Sequence, residues 1–131
     1  CKRIKYAFDG DPLWVAHCHC ETCRRATSSA FATYVGVKLD QFRYYEGEPA
    51  WYESSPGVHR YFCGNCGSPM AYIGDKFAGT VHLYAGSLAE PDKVKPMGNL
   101  NAKDRLPWTE VHNELPEIAT LSEIKPKPAK K

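Results

Sequence analysis

Long hydrophobic runs, net charge and helical periodicity are all scarce in this sequence. No apolar stretch approaches the roughly 18–20 residues that a membrane-spanning helix needs, so we expect no membrane span. The formal net charge of the 131 residues is +2, and the lysines near the C-terminus inflate it, so composition gives no reason to expect nucleic acid as a partner. A secretory signal is also lacking. These absences favour a cytoplasmic protein with one core-forming domain.

Cysteine, by contrast, is abundant and clustered. Of the six cysteines, three lie in Cys18-His19-Cys20-Glu21-Thr22-Cys23, two lie in Cys63-Gly64-Asn65-Cys66, and the sixth is Cys1. Three disulfides in a secreted domain are one interpretation, but the cysteines of the first cluster are too close together to pair easily. Closely spaced thiolates are the ligands that zinc selects. We therefore expect metal-bound thiolates in a reducing compartment.

The number of cysteines does not suit one closed zinc site or two. Five clustered sulfurs exceed a single tetrahedral site, and six are too few for two closed sites, so at least one zinc keeps an open position, as catalytic zinc does. The first cluster needs a sharp turn at His19 before its three sulfurs can converge. In the second cluster Gly64 and Gly67 relieve the backbone of a zinc knuckle. Its other ligands are either Cys1 with an upstream cysteine or two cysteines of the first cluster.

Several side chains beside the first cluster are candidates for further roles. Arg24 and Arg25 would stabilise thiolates and bind a carboxylate in a bidentate manner, although solvated loop positions are the alternative. His19 lies inside the cluster, where its neighbours already supply ligands. The remaining histidines are expected to be ordinary packed or surface residues: His17, His59, His82 and His112. No general base is identifiable from spacing.

A zinc deaminase motif is a competing interpretation of the same residues. His19-Cys20-Glu21 fits H-x-E, and Cys63 with Cys66 would complete the ligand set. Phe62, however, stands where that motif has proline, and the sequence lacks the helices that such a fold needs around its sheet. We therefore set this interpretation aside.

Short β-type segments separated by turn residues recur along the chain and predict a mainly β class with small antiparallel sheets. The predicted strands are Lys2–Phe8, Leu13–Ala16, Phe31–Val37, Phe42–Tyr45, Ala50–Glu53, Val58–Phe62, Pro69–Ile73 and Thr80–Ala85. Arg24–Ser29 is expected to form one helical turn or a loop. Leu106-Pro107-Trp108 has the character of an aromatic anchor. We place one zinc-binding domain at residues 1–120 and a basic tail at residues 121–131.

The cysteine pattern with its arginine pair resembles the glutathione-dependent formaldehyde-activating enzyme (Gfa) family, which shares the centromere protein V domain. The resemblance extends over nearly the whole chain as far as Ile118. The matching segments are Cys18-His19-Cys20-x-x-Cys23-Arg24-Arg25, Thr27 to Phe31, Phe62 to Pro69, Ala85-Gly86-Ser87-Leu88 and Leu106-Pro107-Trp108.

The resemblance implies an Mss4-like fold built from small antiparallel sheets, with two zinc sites. It assigns catalytic zinc to three ligands, Cys18, Cys20 and Cys23. It assigns structural zinc to Cys63 and Cys66 together with Cys1. Because Cys1 matches the second cysteine of an N-terminal C-x-C pair, and because the chain does not begin with Met, we expect the fourth ligand two residues upstream of Cys1.

The activity that the resemblance implies is the condensation of glutathione with formaldehyde to S-hydroxymethylglutathione, which is a carbon–sulfur lyase reaction in reverse. Arg24 or Arg25 would bind a glutathione carboxylate. Since one fold serves many functions, two alternatives stay open. One is a zinc-stabilised binding module without catalysis, and the other is a structural zinc protein with saturated sulfurs.

Overall fold

The computed structural model describes residues 1–109 and 116–124, in which ten strands and one α-helix follow one another. The mainly β class expected from the sequence is confirmed. His112 and the basic segment Lys125–Lys131 lie outside the described residues. The elements are β1 (Lys5–Phe8), β2 (Trp14–Cys18), α1 (Glu21–Thr27), β3 (Ala32–Lys38), β4 (Phe42–Glu46), β5 (Ala50–Ser55), β6 (Val58–Phe62), β7 (Pro69–Gly74), β8 (Thr80–Tyr84), β9 (Asn99–Leu100) and β10 (Glu117–Ile118).

Eight of these strands form one sheet in the order β10-β9-β2-β3-β8-β7-β6-β5, and β1 pairs with β4 in a separate two-stranded sheet. From β2 to β5 every pairing is antiparallel, as expected. The sequence did not predict β9, which pairs in parallel with both β2 and β10. With two residues each, β9 and β10 are too short to carry an alternating pattern.

The centre of the larger sheet is buried on both faces because successive side chains of a strand point to opposite sides. One face carries small aliphatic side chains, including Val15, Val35, Val37, Val81 and Leu83. The other face carries larger and polar-tipped side chains, including Trp14, Tyr34, Tyr84 and Cys18, and Cys23 of α1 belongs to the same cluster. Two of the cysteines expected to bind metal are therefore part of the core.

Helix α1 begins earlier than the sequence predicted. A turn or loop was expected from Arg24, but the helix starts at Glu21 directly after the extended Cys20, and Ser28 in the left-handed region (φ 52°) ends it. Glu21 in the first turn and Arg25 in the last complement the helix dipole and pair with each other across one turn. The helix therefore includes the third cysteine of the first cluster.

Two residues after the boundary predicted at residue 120 contribute to the core. Ile124 is buried in the cluster that contains Trp14, and Leu121 packs against the same cluster. The expected aromatic anchor is wrong for Trp108, whose side chain is 70% exposed. In the part of the chain that the structure describes, no helix combines the length and apolarity needed to cross a membrane.

Candidate metal centres

Three cysteine side chains converge where β2 meets α1. Cys18 is the last residue of β2, Cys20 caps the N-terminus of α1, and Cys23 lies one helical turn further on. Their sulfur atoms all lie within 4.8 Å of one another, and the sulfurs of Cys18 and Cys20 are 3.4 Å apart. Residues three apart on a helix share one side, so α1 brings Cys20 and Cys23 to the strand end. We call this group the first triad.

The donor set of the first triad suits a soft metal ion. Three sulfurs converge, and Cys18 and Cys23 are buried while Cys20 is half-buried. Among the His, Cys, Asp and Glu side chains of the described residues, none adds a fourth ligand atom to the group. Thiolates in this number select Zn²⁺ over harder cations. The residues therefore fit a zinc ion with one coordination position left for another ligand.

Each sulfur of the first triad is also a hydrogen-bond partner of a neutral side chain. The Tyr34 hydroxyl donates to the sulfur of Cys23 over 3.4 Å, and the Asn101 amide donates to that of Cys18 over 3.5 Å. The Thr22 hydroxyl lies 3.3 Å from the sulfur of Cys20. Each of the three sulfurs therefore has a polar neighbour besides the other two cysteines.

The thiols of the first triad differ in pKa because they form hydrogen bonds with one another. The hydrogen bond between Cys18 and Cys20 lowers the pKa of the Cys20 thiol and raises that of Cys18. Contact with Cys23 acts in the same two directions, and burial further raises the pKa of Cys18. The Cys20 thiol therefore loses its proton more readily than the Cys18 thiol does.

Arg60 is a residue near the first triad that the sequence analysis missed. It lies on β6 and is only 3% exposed. Its guanidinium donates to the hydroxyls of Tyr84 (2.8 Å) and Tyr34 (3.1 Å), and its Nη2 lies 4.0 Å from the sulfur of Cys23. One signal was available in the sequence, since Arg60 occupies the same face of its strand as Val58 and Phe62.

The second triad consists of Cys1, Cys63 and Cys66, whose sulfurs also lie within 4.8 Å of one another. The sulfurs of Cys1 and Cys63 are 3.6 Å apart. Backbone amides of Cys66 and Asn65 hold the pKa of Cys63 below its usual value, and Gly67 closes the turn at φ 74° with a 2.8 Å bond to the Cys63 carbonyl. Cys1, rather than the first cluster, therefore joins the knuckle.

A cavity of about 300 Å³ lies beside Arg60 and Tyr84. Tyr52, Phe62 and Pro69 contribute mainly apolar surface to its lining, and Arg60 is its charged lining residue. A larger cavity of about 650 Å³ adjoins the second triad. The smaller cavity shares two side chains with the hydrogen-bond network around Cys23, so a small molecule bound there would lie next to that network.

Over residues 1–104 the chain matches the family model described as glutathione-dependent formaldehyde-activating enzyme. The chain belongs to this family. The matched residues include both triads, α1 and Arg60. The resemblance read from the cysteine pattern is thereby confirmed. No curated protein matches the sequence.

The fold of this Gfa family member is also found among solved structures. A crystal structure of a Rhodobacter sphaeroides protein matches with a TM-score of 0.59, covering 88% of this chain and 93% of that chain. The two sequences are 17% identical. At this identity the likeness concerns the fold alone.

The two arginines expected to bind substrate take different positions in this Gfa chain. The half-buried Arg24 donates through Nε to the carbonyl of His19 over 3.2 Å. Arg25 has a side chain that is 79% exposed and pairs with Glu21 at 2.8 Å. Within the described residues, neither guanidinium forms a hydrogen bond to a cysteine sulfur. Their assignment to substrate binding stays a prediction.

Among the described residues of this Gfa chain, no histidine joins either triad. His19 is completely buried, and its Nε2 lies 3.1 Å from the Asn99 side-chain oxygen. Burial lowers the pKa of His17, whose Nδ1 contacts the Thr33 hydroxyl at 2.8 Å. Burial also lowers the pKa of His82, to about 4. These rings pack in and around the sheet and supply no ligand to the triads.

Proposed function

We propose that this protein is a zinc-dependent carbon–sulfur lyase of the Gfa family, which in the synthetic direction condenses glutathione with formaldehyde to S-hydroxymethylglutathione. The observation that carries the proposal is the first triad. Its three sulfurs meet with no fourth His, Cys, Asp or Glu ligand among residues 1–109 and 116–124. This arrangement leaves room for the thiol of a substrate.

The reaction needs no oxidant or reductant. The sulfur of glutathione forms a bond to the carbonyl carbon of formaldehyde, the π electrons of the carbonyl move to oxygen, and the thiol proton ends on that oxygen. A zinc ion held by Cys18, Cys20 and Cys23 would lower the pKa of a thiol at its open position and so supply a nucleophile at neutral pH. The role of this chain is to hold and orient the reactants.

The surroundings of the first triad are consistent with a bound small molecule. The cavity beside Arg60 and Tyr84 is large enough for part of a peptide-sized thiol. Arg24 and Arg25 lie in the last turn of α1, directly after Cys23. We assign them the carboxylates of glutathione, because a guanidinium binds a carboxylate in a bidentate manner. For Arg25 this binding requires that Glu21 be displaced.

The second triad has a different role in this proposal. Cys1 and Cys66 are exposed and only Cys63 is buried, and the triad joins the start of the chain to the turn between β6 and β7. We assign it a structural zinc ion. Zinc bound by cysteine in such knuckles contributes directly to folding.

The direct test is the rate of formaldehyde loss in the zinc-loaded protein, measured with and without glutathione. We expect a glutathione-dependent rate above the uncatalysed reaction, and loss of that rate in Cys20→Ser. A zinc-loaded, folded protein that shows no such rate would contradict the proposed reaction. Two bound zinc ions in that inactive protein would support the alternative, a zinc-stabilised binding module without catalysis.

A further inference from the structure

Arg60 is a buried cation that forms no ion pair with a carboxylate of the described residues. Of the Lys and Arg side chains in the described part of the chain, it alone is classed as buried. No Asp or Glu within residues 1–109 and 116–124 forms an ion pair with Arg60. Its contacts are the hydroxyls of Tyr34, Tyr84 and Ser54, the ring of Tyr72 and the sulfur of Cys23. A buried charge of this kind is costly unless an opposite charge lies close by.

The first triad supplies that opposite charge when it binds a metal ion. Three thiolates carry three negative charges and a divalent ion carries two positive charges, so the loaded site has a net charge of −1. The guanidinium adds one positive charge at 4.0 Å from the sulfur of Cys23. The loaded triad and Arg60 together are therefore neutral, although both are largely removed from water.

The hydrogen bonds that link Arg60 to Cys23 through the hydroxyl of Tyr34 have a fixed direction. A guanidinium has donors only, so the oxygens of Tyr34 and Tyr84 must both accept from Nη1. Each hydroxyl then has a single hydrogen to donate. Tyr34 directs its hydrogen to the sulfur of Cys23. Cys23 therefore accepts at the end of this chain of donors, and these hydrogen bonds hold its sulfur in place.

We infer that Arg60 is a positioning residue of the first triad, which balances the charge of the metal-loaded site and holds Cys23 through the hydroxyl of Tyr34. Tyr34 and Tyr84 occupy paired positions on the adjacent strands β3 and β8. Both phenols therefore reach one guanidinium, while only Tyr34 also donates to a ligand sulfur. The inference rests on metal binding by the first triad as set out in the proposed function, and it requires no particular substrate.

The paired tyrosines provide a matched test that does not depend on activity. Metal affinity is measured by competition with a chelator. The protein is loaded with Co²⁺, which gives a sulfur-to-cobalt absorption band, and the part of this band that Cys20→Ser abolishes belongs to the first triad. Because hydrogen-bond partners of metal ligands are worth about 10–100-fold in affinity, we expect Tyr34→Phe to weaken binding about 10-fold. Tyr84→Phe serves as the control, with a change below about 3-fold.

Substitutions at Arg60 test the charge itself. We expect Arg60→Met to weaken metal binding at the first triad by about 10–100-fold, and Arg60→Lys to restore part of the loss because it returns the charge without the planar fork. If Arg60→Met does not fold, the metal affinities of Tyr34→Phe and Tyr84→Phe test the inference. Wild-type affinity in a folded Tyr34→Phe or Arg60→Met protein would overturn the inference while leaving the proposed function intact. A wild-type protein that binds no metal at the first triad would overturn both.

Discussion

The indole ring of Trp14 lies directly against the backbone of Gly36 on the neighbouring strand. The two residues are paired partners of β2 and β3, and a Cβ added at position 36 would lie 2.6 Å from Cζ2 of Trp14. The indole is buried and also meets His82 edge-on at 4.7 Å between ring centroids. The missing side chain of Gly36 therefore makes the space in which Trp14 packs, four residues before the first triad.

We expect Gly36→Ala to destabilise the protein by about 1–3 kcal/mol, because the added methyl group overpacks a rigid aromatic contact. Urea unfolding of the metal-loaded protein, followed by circular dichroism, measures the change. Gly86→Ala is the matched control, since a Cβ there meets no heavy atom within 4 Å. Equal stability of the two variants would show that Trp14 moves aside without cost.

The depressed pKa of His82 makes stability depend on pH. Burial lowers the pKa of His82 from 6.5 to about 4, so between these values the unfolded chain binds a proton that the folded chain does not. Stability is therefore complete above pH 6.5 and falls as the pH is lowered towards 4. From pH 7 to pH 5 the loss from this residue is about 2 kcal/mol. Urea unfolding at the two pH values measures it.

His82→Phe isolates this contribution, because a phenyl ring can still stack on Tyr72 as the imidazole does. Both proteins are compared at saturating zinc, so that the loss of metal in acid affects them alike. The difference in stability between pH 7 and pH 5 should be smaller in the variant. Parallel pH profiles for the two proteins would contradict the role assigned to His82.

The two triads should respond differently to the loss of one sulfur. We expect Cys20→Ser to lose one of two bound zinc ions while the fold survives, because the half-buried Cys20 caps a helix whose neighbouring core remains packed. Cys66→Ser should lose the other ion and unfold the chain. Metal analysis by atomic emission together with circular dichroism gives both readouts. Unfolding of Cys20→Ser to the same extent as Cys66→Ser would make the catalytic assignment wrong.

The ion pair between Glu21 and Arg25 should compete with substrate. If Arg25 binds a carboxylate of glutathione, Glu21→Gln frees its guanidinium and should lower KM for glutathione, while Arg25→Ala should raise it. Stability should change by less than about 1 kcal/mol, because both side chains are exposed. Glu90→Gln, which breaks the exposed pair with Lys93, is the control. An unchanged KM in both Glu21→Gln and Arg25→Ala would remove Arg25 from substrate binding.

The sequence predicted the parts of the fold that depend on local pattern. Strand β6 has the predicted bounds, Val58–Phe62, because alternation and flanking turns are local properties. By contrast, β9 exists only through its parallel pairing with β2 and β10. The start of α1 was also missed, since Cys20 forms no side-chain capping bond to signal it.

In the candidate site, too, the sequence predicted the features that depend on local pattern and missed the one that depends on strand pairing. The spacing of Cys18, Cys20 and Cys23 suffices to predict that they meet, because one strand end and one helical turn bring them together. The alternation of β6 places Arg60 on the same face as Val58 and Phe62, but its contact with Cys23 was not predictable, since that contact depends on the pairing of β6, β7, β8 and β3. An arginine in a strand is ordinarily expected to face solvent.

The two triads differ in the chain entropy that is lost when their cysteines come together, because the cysteines lie at different distances along the chain. Cys1 and Cys63 are 62 positions apart, whereas the first triad lies within the segment from Cys18 to Cys23. Bringing distant residues together costs chain entropy that grows with the length of the loop. The sulfurs of the second triad therefore assemble only together with the sheet between them, while those of the first need only the strand end and the helical turn between Cys18 and Cys23. An ion at the second triad would act as a cross-link, and an ion at the first would leave and return without reopening a long loop.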